Sequence, residues 1–170
     1  MSRFNTNRVF RNTIILVILI ANIGCDQISK QVIRKNVGFY ETRRVIKDYF
    51  VITYVENSGA FLSIGSNLPA AIKLVVLSII PLIALLFGVF YILTKRNLTL
   101  LSGLALSFAI GGGIGNIYDR MIHGSVTDFM HINLGFVQTG IFNMADVSIM
   151  TGMFIFLYQS YSRQKERMWG

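Results

Sequence analysis

The longest uncharged runs of this chain decide its class before any motif is read. Leu74 to Thr94 is 21 residues without an acidic or basic side chain, and Asn97 to Tyr118 is 22 more. A hydrocarbon core asks for about 20 apolar residues per helix. Val147 to Ser162 adds 16, and Asn12 to Cys25 adds 14 before continuing as the less polar face of residues 27–37. Phe129 to Ala145 also lacks Asp, Glu, Lys and Arg, although His131 lies within it. A water-soluble domain of 170 residues has no interior large enough to hide four such segments. The expectation is an all-α membrane protein with four transmembrane helices, folded as one domain over residues 1–170.

The helices are expected at 12–33, 69–94, 98–118 and 142–161, separated by extracytoplasmic loops at 34–68 and 119–140. The first could be mistaken for a cleaved leader, since Arg3, Arg8 and Arg11 precede an apolar stretch ending at Ala21-Asn22-Ile23-Gly24-Cys25. Asn22 stands where such a leader wants a large aliphatic residue, so an uncleaved helix is the better reading. A single cysteine allows no internal disulfide. In the first loop, Tyr49 to Val55 is rich in β-branched and aromatic residues and reads as a strand, with Arg43-Arg44-Val45-Ile46 as its partner. Asn57-Ser58-Gly59 reads as a turn. Pro81 falls inside the second helix and predicts a kink.

The net charge of +8 reads as membrane topology and not as nucleic-acid binding, because Lys and Arg collect at the ends of apolar segments. Eight basic residues fall on each side of the predicted bilayer. Those on the terminal side sit in three short segments touching helix ends, which favours cytoplasmic termini.

Four acids abut or enter apolar segments: Asp26, Asp119, Asp128 and Asp146. Ionisable groups at such positions are costly and are candidates for function. Asp26 has a bland explanation, an ion pair with Lys30 one helical turn away. Gly111, Gly112, Gly113 and Gly115 suit a close helix crossing that brings Asn116, Asp119 and Arg120 beside another helix. Asp128 and Asp146 have no Lys or Arg nearby, and Arg120 is the only one between residues 97 and 162. At least one acid is then protonated, water-exposed or paired with another acid. Two carboxylates sharing a proton suit aspartic peptidase chemistry. A proton- or cation-coupled transporter would show the same pattern. His123 and His131 lack a familiar zinc spacing and read as surface residues.

Five blocks in order then give a likeness to a known family. They are Asp26-Gln27-Ile28-Ser29-Lys30, Asn57-Ser58-Gly59-Ala60, Gly112 through Arg120, Val126-Thr127-Asp128-Phe129 and Phe142-Asn143-Met144-Ala145-Asp146. Together they resemble the lipoprotein signal peptidases, the type II signal peptidases of bacterial inner membranes. The resemblance implies a metal-free aspartic endopeptidase, with no cofactor, that cuts prolipoproteins just before a diacylglyceryl-cysteine. It implies a small β-cradle on the outer leaflet, an active site near that face, contact with phospholipid, a monomer, and inhibition by globomycin. It makes Asp128 and Asp146 the catalytic dyad, with Asn116 and Asn143 as orienting groups. Asp119 and Arg120 become a structural and substrate-ordering pair. Asp26 and Lys30 match the helix-1 pair, Asn57 and Gly59 the substrate-side loop, and Ala145 precedes the second dyad acid. Two departures stand out. The family commonly has a second Ala and then an aromatic after Ala60, where this chain has Phe61 then Leu62. Thr127 replaces an expected Val and adds a hydroxyl for bonding near the dyad.

Overall fold

The computed structural model describes residues 6–60 and 63–169. Arg3 and the Phe61-Leu62 departure lie outside them, as do the side chains of Arg163, Arg167 and Trp169. The elements run α1 (Thr6–Asn36), β1 (Thr42–Ile46), β2 (Phe50–Asn57), α2 (Ala70–Leu74), a π-helical turn (Val75–Ile79), α3 (Ile80–Thr94), α4 (Leu100–His123), β3 (Val126–Ile132) and α5 (Met144–Trp169).

Helix α1 starts six residues before the expected Asn12, and its basic front is the reason. Arg11 is 93% buried, its guanidinium donating to the carbonyls of Lys95, Arg96 and Leu98. Arg8 and Asn12 both donate to Leu93 O. The last carbonyls of α3 have no helical partners of their own, so arginines from α1 satisfy them. Arg8 and Arg11 are therefore part of the helix.

The kink expected at Pro81 takes the form of a π-helical turn. Pro81 has no N–H to give Leu77 O, and its ring would crowd that carbonyl. The wider turn over Val75–Ile79 absorbs both problems just upstream. Helix α4 is bounded by local chemistry at both ends. Thr99 Oγ1 accepts from Ser102 N at 3.2 Å, and Gly124 closes the helix in the left-handed region at φ 76°.

Helix α4 is the centre of the bundle, packed on α5, α1 and α3. A Cβ on Gly112 would strike Ala145 O, and one on Gly115 would strike the Asp26 carboxylate. The glycines thus let α4 approach α5 and α1 at backbone distance. Ile15, Leu19, Ile92 and Ile110 fill the space between α1, α3 and α4. The outward faces of α3 and α5 stay apolar: Phe87 is 68% exposed and Phe154 62%. Such faces suit lipid, not water.

Among the described residues, three helical segments are long and apolar enough to cross a membrane: Arg8–Asn36, Ala70–Thr94 and Leu100–His123. Helix α5, expected as a fourth span, has the length but not the same apolarity. Its uncharged run of 16 residues closes on the polar Tyr158-Gln159-Ser160-Tyr161-Ser162.

The two loops are not wholly irregular. The hairpin β1–β2 extends into a three-stranded antiparallel sheet in the order β1-β2-β3. Strand β3 lies within the stretch expected as the loop at 119–140, where the sequence patterning marks no strand. Val126, Thr127, Phe129 and Ile132 carry the β-branched and aromatic signal, and Asp128 among them hides it. A second apolar cluster, Ile33, Val37 and Phe129, seats the sheet on the end of α1.

Candidate active site

Strand β3 and the first turn of α5 deliver the two acids to one place. Asn143 is the joint between them. Its side-chain Oδ1 accepts from Asp146 N at 3.1 Å, and Asp146 Oδ2 accepts from Asn143 N at 3.0 Å. This reciprocal pair is a capping box, with Asn at the N-cap and Asp three residues later. The cap fixes the amide, so Asn143 Nδ2 is turned outward and donates to Asp128 Oδ1 at 2.6 Å. Asp128 Oδ2 accepts from Asn57 Nδ2 at 3.1 Å, and Asp146 Oδ1 from Asn116 Nδ2 at 3.0 Å. Among the described residues, the hydrogen bonds to this pair come from neutral amide and backbone N–H groups. No ammonium or guanidinium bonds either acid directly.

The charged groups form a separate layer behind the pair. Lys30 is fully buried; its ammonium hydrogen-bonds Asp26 at 2.9 Å and Asn116 Oδ1 at 3.0 Å and pairs with the Asp119 carboxylate at 3.1 Å. The ammonium dictates the Asn116 orientation, because only the amide oxygen can face it. Asn116 Nδ2 must then face Asp146. Asp26 also accepts from Ala145 N at 2.9 Å, at the N-terminus of α5 where a carboxylate is favoured. Arg34 adds a second cation at 3.0 Å from Asp119. Two buried acids are thus matched by two bases, an arrangement that burial of charge requires.

The Asp26–Lys30 pair is therefore present but belongs to a larger network. Asp119 and Arg120 are neighbours in sequence and part in space. Asp119 turns into the network, while Arg120 turns to the other side and donates to Gly59 O at 2.9 Å. Arg120 Nε is buried there without a partner. Gly59 N donates to Asn57 Oδ1, and a Cβ on Gly59 would lie 2.6 Å from the Ser63 backbone. The backbone of Ser63 and Ile64 comes this close only because residue 59 has no side chain. The Thr127 hydroxyl points away from the two acids, toward Arg34 and Glu56. Residues not singled out from the sequence also serve the site. Gln27 bridges Asp26, Asp119 and Gly115 O, and Arg34 continues the Asp26-Lys30 stripe by one more helical turn. That i, i+4, i+8 spacing is the signal that would have found Arg34.

A cavity of about 860 Å³ opens on the two acids. Asn57, Asn116, Arg120, Asp128, Asn143 and Asp146 line its polar end, and Val147, Ile149, Met150 and Phe154 carry it down α5. Burial, and next the neighbouring Asp146 carboxylate, push the Asp128 carboxyl up to about 6 from 3.8. The folded chain therefore holds a proton that the unfolded chain releases, and raising pH through the window from 3.8 to about 6 lowers stability. Asp146→Asn removes the like charge and is expected to lower the Asp128 value, with burial keeping it above 3.8. Titration of the protonated-carboxyl infrared band reads this directly. An unchanged midpoint would mean that the two acids do not sense each other.

The family model for signal peptidase (SPase) II matches residues 16–162. The chain is 33% identical over 168 residues to a lipoprotein signal peptidase of Borrelia duttonii (strain Ly), covering 95% of this chain and 96% of that one. It is 31% identical to a lipoprotein signal peptidase of Clostridioides difficile (strain 630), covering 89% and 98%. In three dimensions it is similar to a bacterial membrane enzyme solved by the in meso method. The TM-score is 0.80, at 26% identity over 91% of each chain. A second structure of that description gives 0.73, at 25% identity over 86% and 92%.

Proposed function

Because the chain belongs to the signal peptidase II family, we propose that it is an aspartic endopeptidase with Asp128 and Asp146 as its catalytic dyad. In this reading it removes the signal peptide of a prolipoprotein by cleaving just before the diacylglyceryl-cysteine. One observation carries the reading. Two carboxylates held by neutral donors stand at the polar end of a cavity whose other end is apolar. A lipid-modified peptide has the same division.

The chemistry follows from the shared proton. The ionised carboxylate takes a proton from water while the protonated one hydrogen-bonds the scissile carbonyl oxygen. The oxygen of that water bonds to the carbonyl carbon as the protonated carboxyl passes its proton to the carbonyl oxygen, giving a neutral gem-diol and leaving one proton on the dyad. The C–N bond then breaks as that proton passes to the leaving amine and a gem-diol hydroxyl returns its proton to the dyad, so one shared proton remains. Asn116 and Asn143 hold the acids in register for this exchange. Arg120, with its free buried Nε, meets a substrate carbonyl, and Asn57 and Gly59 form the wall opposite α5. Asp26, Lys30, Asp119 and Ala145 fix the start of α5.

Helix α5 spans about 39 Å at 1.5 Å per residue, long enough for a fourth crossing with both termini cytoplasmic. The dyad then lies at the outer boundary, where water is available. The acyl chains remain in lipid as the peptide enters sideways, and globomycin would occupy the same cavity. A lipidated precursor peptide is expected to give at least about a hundredfold higher kcat/KM than its unlipidated form, with diacylglyceryl-cysteine as the new N-terminus. Mass spectrometry of the products checks both. Equal rates, or a cut elsewhere, would sink the assignment.

A further inference from the structure

The sheet that carries Asp128 is poorly registered by its own ladder. A bulge interrupts the pairing of β2 and β3 between Ile52 and Val55. Beyond it only three pairs remain: Val55 with Asp128, Glu56 with Thr127, and Asn57 with Val126. A one-residue slip in so short a stretch would turn Asp128 and Asn57 to the wrong face.

The middle pair carries an additional tie. Thr127 Oγ1 accepts from Arg34 Nε at 2.8 Å and donates to Glu56 Oε1 at 2.8 Å. Tyr54 and Ser125 donate to the same Glu56 carboxylate. Thr127 N donates to Asp119 Oδ2 at 3.2 Å, and Thr127 is fully buried. A hydroxyl is the small group that can accept from a guanidinium and donate to a carboxylate at once. Through it α1, α4, β2 and β3 meet at one atom cluster, adjacent in both strands to a residue of the site.

We propose that Thr127, with Glu56 and Arg34, is a positioning latch that sets Asp128 against Asp146 by locking the sheet to the helices. None of the three lines the cavity that opens on the two acids. The inference rests on the dyad reading. The departure from Val at 127 is then part of this chain's own mechanism of alignment.

The test uses the full chain in detergent with a diacylglyceryl-cysteine precursor peptide. Thr127→Val keeps the shape and removes the hydroxyl. It is expected to lower kcat by about 10- to 100-fold, the scale of a small misplacement of catalytic groups, with KM within about twofold. Thr127→Ser is expected to restore kcat. Glu56→Gln is expected to lower kcat less, and the double variant Thr127→Val with Glu56→Gln to be no worse than Thr127→Val alone. If Thr127→Val does not fold, the kcat-against-KM split in Glu56→Gln carries the test. Wild-type kcat in Thr127→Val, no rescue by Ser, or multiplying losses in the double variant would overturn the latch. Cleavage that survives in Asp128→Asn would overturn the dyad instead, so the two failures are distinguishable.

Discussion

Asp128→Asn and Asp146→Asn are each expected to reduce cleavage of lipidated precursor by about 10³-fold or more while the protein stays folded. General acid–base catalysis is worth roughly 10² to 10⁴, and the dyad acts as a unit, so either loss removes most of it. The structural cost is smaller. An amide at 146 keeps the capping box through its oxygen but turns an NH₂ toward Asn116 Nδ2, which Lys30 holds in place. One unsatisfied donor contact of this kind costs about 1–3 kcal/mol. Single-turnover cleavage and a thermal unfolding midpoint therefore separate the effects: a small shift in one, a collapse in the other. Retained cleavage in either variant would remove the acid from the dyad. A transporter would behave differently, losing proton-dependent flux and never yielding a peptide product.

The sequence carried more of the site than of its support. Asp128 and Asp146 stand out because no base lies near them in the chain, and the structure brings both to one cavity, joined through Asn143. The capping box emerges only in the structure, although Asn followed three residues later by Asp ahead of an apolar run is the signal that marks it. Strand β3 is hidden in the sequence, since Asp128, its third residue, breaks the apolar alternation that marks a strand. The charged network was hidden for a different reason. Asp26 and Lys30 announce each other along one helix, but Lys30 meets Asp119 across 89 residues of chain. Nothing local encodes that pairing. It exists because Gly112 and Gly115 let α4 come close enough to α5 and α1. The arginine contacts that order the start of α1 are likewise non-local, since their carbonyl partners belong to the end of α3.

Lys30→Met is expected to be the most destabilising single change in this chain. The lysine is fully buried with both its acid partners, and removing it strands the Asp26 carboxylate with only N–H donors and leaves Arg34 as the sole cation on Asp119. Breaking a buried ion pair from one side costs about 3–5 kcal/mol. For a chain of this size that is a fall of roughly 10 °C in the thermal midpoint. The same lysine orients Asn116, so activity suffers twice, once through folding and once through the amide facing Asp146. Combining Lys30→Met with Asp26→Asn separates the two. The double variant has one acid, Asp119, and one base, Arg34, so most of the lost midpoint is expected to return. Asn116 remains free to flip, so kcat is expected to stay about tenfold low. A Lys30→Met protein that melts with the wild type would show that the three-way contact holds nothing in place. A double variant with full kcat would show that Asn116 keeps its orientation without the ammonium.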